Sequence, residues 1–145
     1  MKKSVFIPLL IEALMCAGCV LTNQSTQPYE ASLVEVLVNP KKLTGKRVTV
    51  TGFYHHEIES SAVYLSKDDA KFGVIRNAVW LGEVKSVDQD RLFAELNDVF
   101  IEVSGIVRHE ADGVGHLRMF NVALEKIELV RVRPLGTAWK ESLGP

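Results

Sequence analysis

The sequence predicts an all-β domain with short helices, built as one small five-stranded barrel. Runs rich in β-branched and aromatic residues recur between clusters of turn residues, which is the pattern of short strands. One helical pattern stands between the third and fourth runs, and glycines interrupt the first and the fourth, as bent barrel strands require. The order of three strands, a helix and two strands is that of an OB-like Greek-key barrel. Another small barrel and a split sandwich are the alternatives.

The strands follow from alternation and from their glycines. In the first strand the valines point to one side and the threonines to the other. Gly52 in this strand and Gly105 in the fourth predict a bulge or a sharp bend. We expect a hairpin loop over 109–116 and one bend in the last strand, near 121–123. The predicted strands are 47–54, 62–65, 78–81, 99–107 and 117–132.

Serine residues predict the starts of two short helices. Ser32 is followed three residues later by a glutamate, which is a capping box, and an Asn-Pro pair ends that helix. Ser66 caps a second helix over 67–72, which a glycine ends. The helix between the third and fourth strands is expected over 88–96.

The first 18 residues have the layout of a secretory signal peptide. Lys2 and Lys3 form a basic start, and the apolar run that follows is too short for an ordinary membrane-spanning helix. The segment ends in Cys-Ala-Gly-Cys at 16–19, which resembles the lipobox of bacterial lipoproteins. The resemblance implies cleavage before Cys19 and attachment of a diacylglycerol, with fatty acids such as palmitate, to its sulfur.

The residue after the expected lipid anchor bears on localisation. Val20 stands where lipoproteins retained in the inner membrane carry an aspartate, so the resemblance implies the outer membrane, facing the periplasm. A plain cleaved signal peptide and an apolar N-terminal helix of a cytosolic protein are the alternatives. The expected division of the chain is a signal peptide at 1–18, a flexible tether at 19–31, the barrel at 32–133 and a loose tail at 134–145.

Composition narrows the class of protein. The formal net charge is −1 and charged residues make up 24% of the chain, which disfavours a strongly basic nucleic-acid binder and an acidic tail. The two cysteines are Cys16 and Cys19, so the body of the chain has no disulfide. Their CxxC spacing lies in the signal segment, and we interpret it as neither redox nor zinc chemistry.

Parts of the body are similar to a poorly characterised bacterial family of small, exported, OB-fold-like proteins. The likeness covers roughly residues 32–130 and has no catalytic motif, so it implies the fold and no reaction. The segments that carry it are 46–54, 63–70, 77–81 and the Gly115-His116 hairpin.

The histidines and carboxylates that could carry chemistry are better explained by structural roles. Adjacent His55 and His56 should point to opposite faces of a strand and cannot easily share a metal. Asp68 and Asp69 stand in the first turn of a helix, where the dipole favours negative charge. We expect no metal and no cofactor. The best candidate for a metal or acid–base cluster is the hairpin set His109, Glu110, Asp112 and His116, with a solvated turn as its ordinary interpretation.

A binding face is predicted across the second and third strands, where OB barrels take ligands. Tyr64 and Trp80 offer flat rings, with Lys67 and Arg76 nearby. Both rings are core residues instead if they point inward, because sequence does not fix the register. The sequence thus predicts a non-catalytic, lipid-anchored module of the bacterial cell envelope that binds an envelope protein or a glycan. A nucleic-acid-binding OB domain is the alternative, and a metal-dependent or hydrolytic enzyme ranks third.

Overall fold

The computed structural model describes residues 27–58, 60–82 and 95–133. The expected signal peptide and tail, and most of the expected helix over 88–96, lie outside these residues. No helix in the described part is long and apolar enough to cross a membrane. Two single-turn 3₁₀ helices, Ile75–Asn77 and His116–Arg118, accompany the main elements. Those are β1 Tyr29–Glu30, α1 Leu33–Val38, α2 Pro40–Leu43, β2 Arg47–Glu57, β3 Ser60–Tyr64, α3 Lys67–Lys71, β4 Ala78–Leu81, β5 Val99–Val114 and β6 Phe120–Val132.

Five strands close into a barrel. The sheet order is β1-β2-β3-β4-β6-β5, and β2 also pairs with β5, which joins the two ends. The β4–β6 pairing is parallel and the other pairings of the ring are antiparallel. This strand order confirms the predicted all-β, OB-like barrel.

Strand β2 bends so that it can pair with two neighbours. Its first part, from Arg47 to Tyr54, pairs with β5, and its second part, from Phe53 to Glu57, pairs with β3. Gly52 lies where β2 begins to pair with β3. A Cβ on Gly52 would stand 2.7 Å from the carbonyl oxygen of Tyr64. The predicted bend at this glycine is therefore also a close approach between two backbones.

The β5–β6 pairing contains the second bend. Ser104 pairs with Leu129 but Ile106 pairs with Glu125, so β6 carries the extra residues of a bulge. Lys126 in this bulge has φ +51°. The prediction of a bend near 121–123 was wrong by a few residues. The residue with the left-handed backbone is a lysine, and nothing in the sequence indicates that this lysine has that conformation.

The expected loop at 109–116 is largely strand. β5 continues to Val114, opposite Phe120, and only 115–119 form the turn. Pairing between β2 and β5 stops at Ile106. The last part of β5 and the first part of β6 therefore form a hairpin that projects past the end of β2.

Alternating side chains form two apolar clusters. The inner core fills the barrel with residues such as Val48, Val79 and Leu124. An outer cluster packs against the outside of the strands; its buried members are Phe53, Ala62, Tyr64, Ala70, Ala78, Val114, Phe120 and Ala123. Ala70 belongs to α3, so this short helix covers part of the outer surface.

The predicted caps are present. The Ser32 hydroxyl accepts a hydrogen bond from the Glu35 backbone N–H at 3.0 Å, and the Ser66 hydroxyl accepts one from the Asp69 N–H at 3.0 Å. The hydroxyl of Tyr29 donates to the Glu35 carboxylate at 3.0 Å. Because β1 pairs in parallel with β2, the ordered domain already includes Tyr29–Glu30, at the end of the segment assigned to the tether.

We expect Gly52→Ala and Gly105→Ala each to lower the free energy of unfolding by roughly 1–3 kcal/mol. The added methyl groups would stand 2.7 Å from the Tyr64 carbonyl oxygen and 2.9 Å from that of Glu125, and backbone can move little. Urea unfolding measures the loss. Thr51→Ala, at an exposed position next to Gly52, is the control. Glycine variants as stable as this control would contradict the close approaches.

Candidate binding groove

The predicted rings Tyr64 and Trp80 share the outer face of the barrel. Tyr64 pairs with Ala78 and Ala62 pairs with Trp80, which places the two rings diagonally on neighbouring strands. Tyr64 is only 5% exposed and belongs to the outer cluster. Burial, followed by the negative charge of Glu57, raises its pKa. Tyr64 is therefore a packing residue and offers no open stacking surface.

The other two predicted binding residues lie apart from Trp80's open side. Lys67 begins α3 and Arg76 lies in the 3₁₀ helix before β4, and both are exposed. Neither lines the groove that Trp80 borders. The structure thus keeps Trp80 as a candidate, with Tyr64 buried in the cluster beside it and Lys67 and Arg76 outside the lining of the groove.

Trp80 borders an open groove of about 510 Å³ between the end of β4, the projecting hairpin and the bulge of β6. We call it the Trp80 groove. The indole is partly buried against the outer cluster and partly exposed. The lining residues are Trp80, Gly82, Arg108, Glu110, Gly113, Val114, Gly115, Arg118, Glu125 and Lys126.

Glycines make room for this groove. A Cβ on Gly115 would stand 2.6 Å from Cγ of Trp80, so the backbone of the turn lies directly against the indole. A Cβ on Gly82 would stand 3.5 Å from Cζ3 at the other end of the ring. At Gly113, whose φ is +91°, a Cβ would overlap the carbonyl oxygen of Arg118. Larger residues at Gly113 or Gly115 would therefore force the hairpin turn to move.

One arginine organises the charges of the groove. The Arg108 Nε donates to Glu110 at 2.8 Å, and its terminal nitrogens donate to Glu110 and Glu125. These bonds, first to Glu125 and then to Glu110, raise the pKa of Arg108. The hydrogen bond from Arg108 also lowers the pKa of Glu110. Arg108 therefore bridges the carboxylate of Glu110 on its own strand and that of Glu125 on β6.

The hairpin tip is held in an unusual backbone conformation. Leu117 and Arg118 are consecutive non-glycine residues with φ of +49° and +57°, a region that costs L-residues roughly 1–2 kcal/mol each. Arg118 forms an ion pair with Asp112 across the hairpin, while Leu117 is 77% exposed. The strained turn places the Arg118 side chain on the wall of the groove.

Three of the four hairpin residues proposed for a metal or acid–base cluster, His109, Glu110 and Asp112, have separate partners. His109 Nδ1 hydrogen-bonds to the carbonyl oxygen of Asn121 at 2.8 Å. Glu110 pairs with Arg108 and Asp112 pairs with Arg118, and His116 begins the turn. Within the described residues no three histidine, cysteine or acidic side chains are grouped to hold a metal. Whether the protein binds a metal stays a prediction to be tested.

His55 and His56 point to opposite faces, as predicted. His55 hydrogen-bonds to Asp98 at 2.7 Å and to Glu57 at 3.2 Å. His56 Nδ1 instead lies 2.8 Å from the Ser61 hydroxyl. His55 thus links the end of β2 to the residue before β5, a role that the sequence did not indicate because Asp98 is 43 residues away.

The comparisons with known proteins add little. No family model and no curated protein matches the chain. It is similar to OBody AM3L09 bound to hen egg-white lysozyme, at 21% identity and TM-score 0.47 over 74% of this chain and 96% of that chain. It is also similar to a putative aspartyl-tRNA synthetase from Leishmania major Friedlin, at 12% identity and TM-score 0.45 over 78% of this chain and 22% of that chain. The fold assignment rests on the strand order above.

Sequence reasoning missed most of the groove. Arg108 and Glu125 stand 17 residues apart and look like ordinary surface charges, and Glu110 was singled out only as a member of the hairpin set. The sequence signal for this part of the groove was the alternation of charged residues in 108–112 next to two glycines. That pattern fits a strand of a twisted hairpin as well as it fits a loop. Only the register that pairs 106–109 with 122–125 brings Arg108 to Glu125.

The His55 contacts predict a pH-dependent stability. Burial acts to lower the pKa of His55, but its bonds to Asp98 and Glu57 outweigh burial and raise the pKa above 6.5. A raised pKa means that folding favours the protonated ring, so its stabilisation is complete below about pH 6 and is lost as pH rises through the raised value. We expect the wild-type free energy of unfolding to fall more steeply than that of His55→Gln as pH rises from below 6.5 through the raised pKa of His55.

Urea unfolding at several pH values measures this slope. His109→Gln is the control for loss of a histidine elsewhere on the surface, and it should keep the wild-type slope. A His55→Gln variant with the full wild-type pH dependence would show that Asp98 and Glu57 do not hold a protonated ring.

Proposed function

We propose that this protein is a non-catalytic binding module of the bacterial cell envelope, anchored through a lipid on Cys19 and facing the periplasm from the outer membrane. Its ligand is an envelope protein or glycan, and its site is the Trp80 groove. The observation that carries the proposal is a concave surface in which a partly exposed indole lies beside ordered charges. Apolar surface with a few fixed polar groups is typical of binding sites.

The state of the carboxylates supports binding over hydrolysis. Glu110 and Glu125 form a pair that resembles the two acids of a glycosidase only in residue type. A glycosidase keeps one carboxyl protonated at neutral pH by raising its pKa. Arg108 contacts both carboxylates, and it lowers the pKa of Glu110. A group in that state is a poor general acid and a good hydrogen-bond acceptor.

The same carboxylates disfavour the nucleic-acid alternative. Binding of single strands needs a positive channel with open stacking rings. Glu110 and Glu125 interrupt the positive charge of the groove, and Tyr64 is buried. The face that an OB barrel would offer to a base is in this chain packed around Tyr64, with α3 contributing Ala70 to the same cluster.

The anchor is tested by labelling growing bacteria with a clickable palmitate. We expect the wild-type chain to carry the label and to fractionate with the outer membrane, and Cys19→Ala to lose both properties, because the thioether needs that sulfur. Cys16→Ala is the matched control, since it removes the other cysteine of the segment and should leave labelling intact. A label that persists in Cys19→Ala, or a lipid-free wild-type protein, would refute the proposed anchor.

A further inference from the structure

We propose that the Trp80 groove recognises an uncharged pyranose ring, so that the ligand of the module is a neutral segment of a glycan. This inference rests on the proposed function and names the ligand class of the same site. The juxtaposition that carries it is a partly exposed indole that lines the same groove as two glutamates, a lysine and three glycines.

The indole supplies the apolar half of such a site. Trp80 packs against the outer cluster, the backbone of Gly115 lies against its five-membered ring, and its remaining, partly exposed surface lines the groove. A pyranose has one face of C–H groups, which can lie flat on an aromatic ring and remove its apolar surface from water. A flexible peptide has to order many side-chain torsions to do the same.

The charged groups supply hydrogen bonds of both directions. Arg108 bonds to one oxygen of Glu110 and one oxygen of Glu125, which leaves the second oxygen of each carboxylate able to accept from a hydroxyl. The Lys126 ammonium makes no ion pair with a described residue and can donate. Sugar hydroxyls both donate and accept, so adjacent hydroxyls of one ring can satisfy acceptors and donor together.

The charge balance selects against charged ligands. Arg108, Arg118 and Lys126 are offset by three carboxylates, those of Glu110, Glu125 and Asp112. A polyanion would meet Glu110 and Glu125 beside the cations, and a cationic peptide would meet Arg108, Arg118 and Lys126, so each would be repelled by part of the lining. An uncharged polyol meets neither repulsion, and its bonds to ionised groups are the stronger kind.

The groove is also ordered before a ligand arrives. Arg108 is fixed by two carboxylates on neighbouring strands, and Arg118 is fixed by Asp112 and by the left-handed backbone of the turn. Backbone strain of this sort persists where the surroundings impose it and often marks a functional site. Since little side-chain freedom is lost on binding, a small ligand can be held by few contacts.

The test uses the full-length chain in a zwitterionic detergent, because sugar detergents would compete. The chain has two tryptophans, so Trp139→Phe leaves Trp80 as the only tryptophan, which excitation at about 295 nm selects over the tyrosines. We expect the neutral cellotetraose or tetra-N-acetylchitotetraose to shift Trp80 emission, whereas heparin fragments and a (dT)₁₂ oligonucleotide should not.

Calorimetry on variants assigns the site. Trp80→Ala and the isosteric Glu125→Gln should each weaken tetrasaccharide binding by at least about tenfold. Lys67→Ala, which removes a charge outside the groove, should change it less than about twofold. Urea unfolding checks that each variant is folded. If Trp80→Ala does not fold, Glu125→Gln still tests the site.

A photo-crosslinking residue at position 126 in living cells, with position 67 as control, separates two kinds of failure. No saccharide binding, together with a position-specific adduct to an envelope protein, overturns the sugar inference and leaves the proposed function standing. No saccharide binding and no specific adduct overturns both. Binding of (dT)₁₂ that Glu125→Gln strengthens would likewise overturn both, in favour of nucleic acid.

Discussion

Pairing between β2 and β5 closes the sheet into a ring, and the rest of the structure depends on that closure. It leaves the five strands without an open edge between β2 and β5, and it gives the sheet an inside for one core and an outside for another. It is possible because β2 turns from β5 towards β3 at Gly52, where no side chain fits. The packing of Tyr64 on the outer face follows from the register that this turn imposes.

Closure also explains where an open site is left. Most of the outer face beside β3 is packed around Tyr64 and Phe53, with Ala70 of α3 in the same cluster. Beyond Ile106, β5 has lost β2 as a neighbour and continues with β6 as a projecting hairpin. The hairpin folds its glycine-rich turn against Trp80, and its charged residues line the space between. The groove thus exists because β5 extends beyond the end of its pairing with β2.

The sequence predicted what local chemistry determines. The first three barrel strands, the caps at Ser32 and Ser66 and the bends at Gly52 and Gly105 follow from nearby residues, and the structure has them. It did not predict what depends on register. Tyr64 and Trp80 look equivalent in the sequence, yet one is buried and the other borders the groove. The bulge at Lys126 and the extension of β5 to Val114 depend on pairing with distant residues, which a single sequence does not reveal.

The contact between Gly115 and Trp80 tests this account most directly, because it exists only if the hairpin projects and folds back on β4 as described. Protons on a carbon that lies against an indole face are shifted upfield by the ring current. A solution NMR spectrum of the full-length chain should therefore show the Gly115 Hα resonances well upfield of ordinary glycine values, with cross-relaxation to the Trp80 ring. Gly115 resonances at ordinary positions, with no such cross-relaxation, would contradict the account and remove the groove.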